Sequence, residues 1–118
     1  MYKLINPDYI NRQFIEQLGR ETYVEIICDG FKETYKETLA EIEVAVKNRN
    51  FKGIKEKVHS IKSNLLFFFD RTSEFGIKIQ ELEDKGRNED EKDIEMLFEN
   101  FKLNCEKTIE ELDRFLKE

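Results

Sequence analysis

Tryptophan is absent from this chain, proline and histidine each occur once, and cysteine occurs only twice. The lone proline, Pro7, leaves nearly the whole chain free of the residue that breaks helices. With one histidine and no Cys-x-x-Cys spacing, a tetrahedral zinc site would have to be completed by carboxylates, so no metal site is expected. Cys28 and Cys105 fall on apolar helix faces and read as buried free thiols. The longest uninterrupted apolar run, Leu65 to Phe69, is far too short to span a bilayer. The N-terminus, Met-Tyr-Lys-Leu-Ile-Asn-Pro-Asp, lacks the basic-then-apolar order of a signal peptide. No glycine-rich phosphate loop is present to bind ATP, and no base, orienting acid and oxyanion hole stand together as a hydrolase would need. A soluble cytoplasmic protein with no membrane attachment is expected.

What is abundant is charge: 39% of the 118 residues are Asp, Glu, Lys or Arg, and the net charge is −6. That sign disfavours nucleic acid as a partner. Glu and Lys both favour helix, so the composition points to an all-α single domain over residues 1–118. Asn6-Pro7-Asp8 reads as a helix start, and Ile10, Phe14 and Leu18 form a short apolar stripe that Gly19 ends. A long helix is expected from about Glu21 to Lys47, with Tyr23, Ile27, Phe31, Tyr35, Leu39, Ile42 and Val46 inward and Asn48-Arg49-Asn50 as the turn. A third runs from about Phe51 to Phe69. A fourth, capped by Thr72 or Ser73, carries Phe75, Ile79 and Leu82 and ends at Lys85-Gly86-Arg87-Asn88. The last runs from about Glu89 to Leu116, with Ile94, Phe98, Phe101, Cys105, Thr108, Leu112 and Phe115 at alternating spacings of four and three. The expected architecture is an antiparallel up-down four-helix bundle with a short additional N-terminal helix. Met1 and the regular C-terminal helix lead us to expect a complete protein.

His59 lies in the one strongly basic stretch of this acidic chain. Lys47, Arg49, Lys52, Lys55, Lys57 and Lys62 face a single acid there, Glu56. On a wheel of 100° per residue, Phe51, Ile54, Val58, Ile61, Leu65 and Phe68 form the core stripe, and His59 points roughly 125° away from it. Its neighbours on that flank are Lys52, Lys55, Lys62, Ser63 and Leu66. A solvated histidine of no consequence is the ordinary reading of such a position. The chemical alternative is a passive one, accepting a phosphoryl group from another protein and handing it on. Such transfer needs mainly positioning and charge neutralisation, and a lysine one turn away supplies a cation for phosphoryl oxygens.

The segment His59-Ser60-Ile61-Lys62-Ser63-Asn64 resembles the His-Ser-Leu-Lys-Gly-Ser signature of histidine-containing phosphotransfer (HPt) domains. Asn48-Arg49-Asn50-Phe51-Lys52-Gly53-Ile54 is similar to that family's turn into the histidine helix. Phe75-Gly76 and Ile79-Gln80-Glu81-Leu82-Glu83 are similar to its next helix, so the likeness covers nearly the whole chain. The resemblance implies a phosphorelay carrier without kinase activity of its own, with His59 as phosphoacceptor and Lys62 steadying the phosphoryl group. It implies docking through Lys52, Lys55, Ser63 and Leu66 onto receiver domains of a hybrid sensor kinase and a response regulator. No cofactor of its own is implied, Mg²⁺ being expected on the partner receiver, and the carrier is expected to be a monomer. Two departures stand out. Ser63 replaces the family's usual glycine, and Phe67-Phe68-Phe69-Asp70-Arg71-Thr72-Ser73 is about two residues longer than the usual connection. Two other classes of function remain: an HPt-like module that docks on a receiver or kinase and inhibits it, and a helical adaptor or dimerisation bundle with an incidental histidine.

Overall fold

Apolar residues recur at helical spacing between Glu and Lys through most of the chain, and the backbone follows that pattern. The computed structural model describes residues 12–65, 68, 72 and 74–116. Its elements are α1 (Arg12–Leu18), α2 (Arg20–Thr22), a π-helical turn (Tyr23–Cys28), α3 (Asp29–Lys47), α4 (Phe51–Leu65), α5 (Glu74–Arg87) and α6 (Ile94–Leu116). No strand occurs among the described residues. Gly19, at φ 85°, ends α1 as expected, its N–H meeting Ile15 O at 2.8 Å. Leu18, expected on the apolar stripe, is instead exposed, because it is the last residue of α1 before that bend. The expected cap at Asn6-Pro7-Asp8, and Ile10 of the stripe, lie outside the described residues.

The long second helix is present as α2, the π turn and α3 in unbroken succession. In the π turn the Asp29 N–H reaches back five residues to Val24 O, which widens the turn by one residue. Tyr23 and Cys28, five apart, are thereby both fully buried. The turn at 48–50 also forms as expected. Asn50 N–H bonds to Ala45 O at 2.8 Å and Arg49 N–H to Val46 O at 3.2 Å around a left-handed Arg49, the pattern of a Schellman end. Asn50 then caps α4, its Oδ1 accepting the Gly53 N–H at 3.1 Å.

Two expected boundaries are corrected. The third helix, expected to Phe69, has given way by Phe68, whose N–H closes a turn on Leu65 O at 2.9 Å. The last helix starts at Ile94, not near Glu89, because Glu89 (φ 51°) and Asp93 (φ 58°) are left-handed and interrupt any earlier helix. Thr72 is an exposed turn residue, while Ser73, Phe67 and Phe69 to Arg71 lie outside the described residues.

α4 packs between α3 and α5, α5 packs on α6, and α6 packs back on α3. The core between them holds Ile42, Ile54, Val58, Ile61, Leu65, Ile79, Leu82 and Phe101, with Phe68 set against Tyr23 and Phe31 at ring-centroid distances of 6.1 and 5.3 Å. On α6 the residues from Ile94 to Leu112 at alternating spacing are all buried as expected; the side chains of Phe115, and of Ile27 on the second helix, lie outside the described residues. Both cysteines are free and buried, and burial pushes the Cys28 thiol up to about 12.

The tract Lys85-Gly86-Arg87-Asn88 ends α5 at Arg87 as expected, and Gly86 within it has a further role. It lies inside α5, where a Cβ would sit 2.7 Å from the Lys55 backbone N and 2.9 Å from Phe51 O. The absent side chain lets α4 and α5 approach to backbone contact one turn below His59. Gly86→Ala is therefore expected to force these helices apart and lower stability by about 2 kcal/mol, read as a lower urea midpoint with an unchanged m-value.

Candidate functional site

α4 presents the Ile54, Val58, Ile61, Leu65 stripe to the core, which sends His59 outward along the α5 side. The imidazole is 66% exposed, as the wheel requires of it. The charged group in contact with the ring, however, is an acid. Nδ1 lies 3.4 Å from Oε1 of Glu83, a residue of α5 whose side chain is only 3% exposed. The same oxygen is paired at 2.7 Å with Nζ of Lys62, which sits one turn beyond His59. Lys62 is thus folded inward, 15% exposed, and donates a second bond to Gln80 Oε1 at 3.2 Å.

The other Glu83 oxygen, Oε2, accepts from Arg87 Nη2 at 2.8 Å. Arg87 Nη1 donates to Asp84 Oδ1 at 2.7 Å, and Gln80 Nε2 donates to the same Asp84 oxygen at 3.0 Å. Positions 80, 83, 84 and 87 form one stripe of α5. The contacts close a ring: Lys62 to Gln80, Asp84, Arg87, Glu83 and back to Lys62. Burial of Glu83 opposes its ionisation, but the Lys62 ammonium and the His59 ring outweigh that penalty and hold its carboxyl below the usual glutamate range.

The remaining residues expected at the site are spread along the same flank. Lys52 and Lys55 are exposed and, with Arg49 and Arg87, line an open cationic groove at the α4–α5 edge. Ser63 is exposed, and its hydroxyl donates to the His59 backbone carbonyl at 3.3 Å, not toward the ring. Leu66 lies outside the described residues. The site therefore joins His59 to Lys62, with the lysine groove beginning one turn earlier on α4.

The sequence reading missed the roles of Glu83, Gln80 and Arg87. A signal was present: Gly76, Ile79, Glu83 and Gly86 repeat at spacings of three, four and three, so Glu83 occupies a core position where an acid needs a partner. No group of three or more His, Cys, Asp or Glu placed to hold a metal occurs among the described residues. No helix among them is long and apolar enough to cross a membrane. Comparison with protein-family models, curated proteins and solved structures gave no match.

The lowered Glu83 value has a definite sign in stability. The unfolded carboxyl protonates near its ordinary value of 4.5, above the folded one. The contribution is therefore complete above about pH 4.5 and is lost as pH falls through the folded value. Urea titrations of wild type and Glu83→Gln should differ by about 2 kcal/mol at pH 7, the scale of a broken charge-assisted bond, and converge as pH falls through the lowered value of the folded carboxyl. A pH-independent difference would contradict this assignment.

Proposed function

We propose that the protein is a phosphoryl carrier of the HPt type, an antiparallel up-down four-helix bundle with a short N-terminal helix. In this reading it passes a phosphoryl group between receiver domains in the cytoplasm. The observation that carries the reading is an outward imidazole whose Nδ1 faces a buried, ionised carboxylate that also holds the neighbouring lysine. Such a carboxylate favours the tautomer with hydrogen on Nδ1, leaving the Nε2 lone pair, across the ring, toward solvent. The cyclic packing of α3, α4, α5 and α6 supports the bundle, and the resemblance of residues 59–64 to the HPt signature supports the family.

The chemistry follows from these atoms. Nε2 attacks the phosphorus of an aspartyl phosphate on the donor receiver. The N–P bond forms, the P–O bond breaks, and its electron pair leaves with the aspartate carboxylate. The ring keeps its Nδ1 proton and becomes cationic, and Glu83 faces that charge. The contact of 3.4 Å is longer than an ordinary hydrogen bond and should tighten as the charge develops. Lys62 meets the phosphoryl oxygens, and Lys52 and Lys55 meet acidic residues of the docked partner. Mg²⁺ on the receiver supplies the rest of the charge neutralisation.

Incubation with a phosphorylated receiver should place an acid-labile, alkali-stable phosphate on the wild type and none on His59→Gln, with helicity unchanged. Equal labelling of the variant would sink the reading. Lys62→Ala should keep the acceptor but slow its labelling about tenfold, the scale of one charge-assisted contact made in the transition state. Ser63, standing where the family has glycine, favours one other reading, an HPt-like module that docks on a receiver without accepting phosphate. Receiver binding by wild type with no phosphohistidine at any time point would select it.

A further inference from the structure

Lys62 has two claims on it. At rest its ammonium sits on Glu83 Oε1, on the Nδ1 side of the His59 ring. A phosphoryl group on Nε2 lies across the ring from that contact, and in this scheme Lys62 leaves Glu83 to meet it. Letting go strips a cation from a carboxylate that is 3% exposed. A buried carboxylate left without a cation takes up a proton, and the protonated acid no longer balances the positive ring. Something else must keep Glu83 ionised during the exchange.

We propose that Arg87 is the positioning residue for this step, holding Glu83 Oε2 so that the carboxylate stays charged and aimed at His59 while Lys62 moves to the phosphoryl group. The assignment rests on the phosphoacceptor reading of His59 and adds a part that the motif at residues 59–64 does not contain. Three features of the ring carry it. Arg87 binds the oxygen that Lys62 and His59 leave free, so its bond survives the departure of Lys62. Its second donor is anchored on Asp84, which fixes the guanidinium plane by a two-pronged grip on residues 83 and 84. Gln80 bridges Lys62 to Asp84, so the leaving ammonium parts from a neutral acceptor as well as from Glu83. The charged groups facing Glu83 are then His59 and Lys62 from α4 and Arg87 from α5, with Asp84 behind Arg87. Arg87 touches neither the phosphoryl group nor the ring in this scheme. It acts through Glu83.

Removing Lys62 imitates the moment of exchange, which makes the idea testable on the isolated protein. Carbon-13 NMR of the Glu83 carboxyl should show it still ionised near neutral pH in Lys62→Ala. In the double variant Lys62→Ala/Arg87→Met the titration should move up by about two pH units or more, toward neutrality. Lys62→Ala/Arg87→Lys should return most of that shift. In parallel, wild type, Arg87→Met and Arg87→Lys are labelled with potassium phosphoramidate, whose P–N bond breaks as the His59 N–P bond forms and ammonia leaves. Arg87→Met should label about tenfold more slowly at pH 6 but within about twofold of wild type at pH 8, with Arg87→Lys in between. The proposal is overturned if Glu83 titrates alike in Lys62→Ala and the double variant. It is equally overturned if Arg87→Met slows labelling by the same factor at every pH, as a merely structural residue would. Failure of wild type to take label from phosphoramidate or from a phosphorylated receiver would remove the phosphoacceptor reading itself. The carboxyl titration would still decide whether Arg87 keeps Glu83 charged.

Discussion

The pairing of buried Glu83 with Lys62 and Arg87 is the interaction on which the site depends. A carboxylate withdrawn from water at a helix seam is costly unless both of its oxygens find cations or donors. Here one oxygen is shared by Lys62 and His59 and the other belongs to Arg87. The arrangement works only if α4 and α5 lie close enough for a glutamate on one to touch side chains on the other. Gly86, one turn along α5, makes that possible by removing the Cβ that would strike the backbone of α4 at Phe51 and Lys55. The narrow seam and the charge cluster are two consequences of one packing choice.

The fold otherwise serves to hold that seam rigid. α4 is clasped on its far side by α3, and its core stripe is buried from Ile54 to Leu65, which fixes the rotation of the helix and so the direction of His59. The Schellman turn at Arg49 and the cap at Asn50 set where α4 begins. A shift of one residue there would turn every α4 side chain by 100° and carry His59 away from Glu83. The cationic groove of Lys52 and Lys55 follows from the same phase, because positions 52, 55, 59 and 62 are neighbours on one flank.

Much of this was legible in the sequence. The apolar stripes of α3 to α6, the stop at Gly19, the turn at residues 48–50 and the outward aim of His59 are all short-range consequences of spacing. Lys62 as the neighbour of His59 was legible for the same reason. What escaped was long-range. Glu83 is 24 positions from His59, and only the packing of α4 on α5 brings the two together. An acid at a core position of the Ile79 stripe was a clue that a partner must exist, but spacing within α5 cannot name a partner on α4. Gly86 stands in the tract that ends α5 as expected, but the close approach of the α4 backbone that demands a glycine there is a long-range fact that spacing within α5 does not announce. The start of α6 was misplaced because Glu89 and Asp93 adopt left-handed geometry without being glycine, which composition does not announce.

The double engagement of Lys62 also bears on what kind of phosphoryl carrier this arrangement would make. A lysine waiting in solvent would favour the phosphorylated state by nearly its full attraction to the phosphoryl group. A lysine already paired with Glu83 and Gln80 must forfeit those contacts first, so only the difference between the two partners remains to hold the phosphate. On the proposed reading this would stabilise the unphosphorylated state at the expense of the phosphorylated one, weaken retention and raise the tendency to pass the group on. For a relay component that property is useful: a carrier that binds its cargo too well does not deliver it. In the proposed reading, the ring of contacts around buried Glu83 therefore sets the balance between accepting and releasing the phosphoryl group, while His59 itself supplies only the bond.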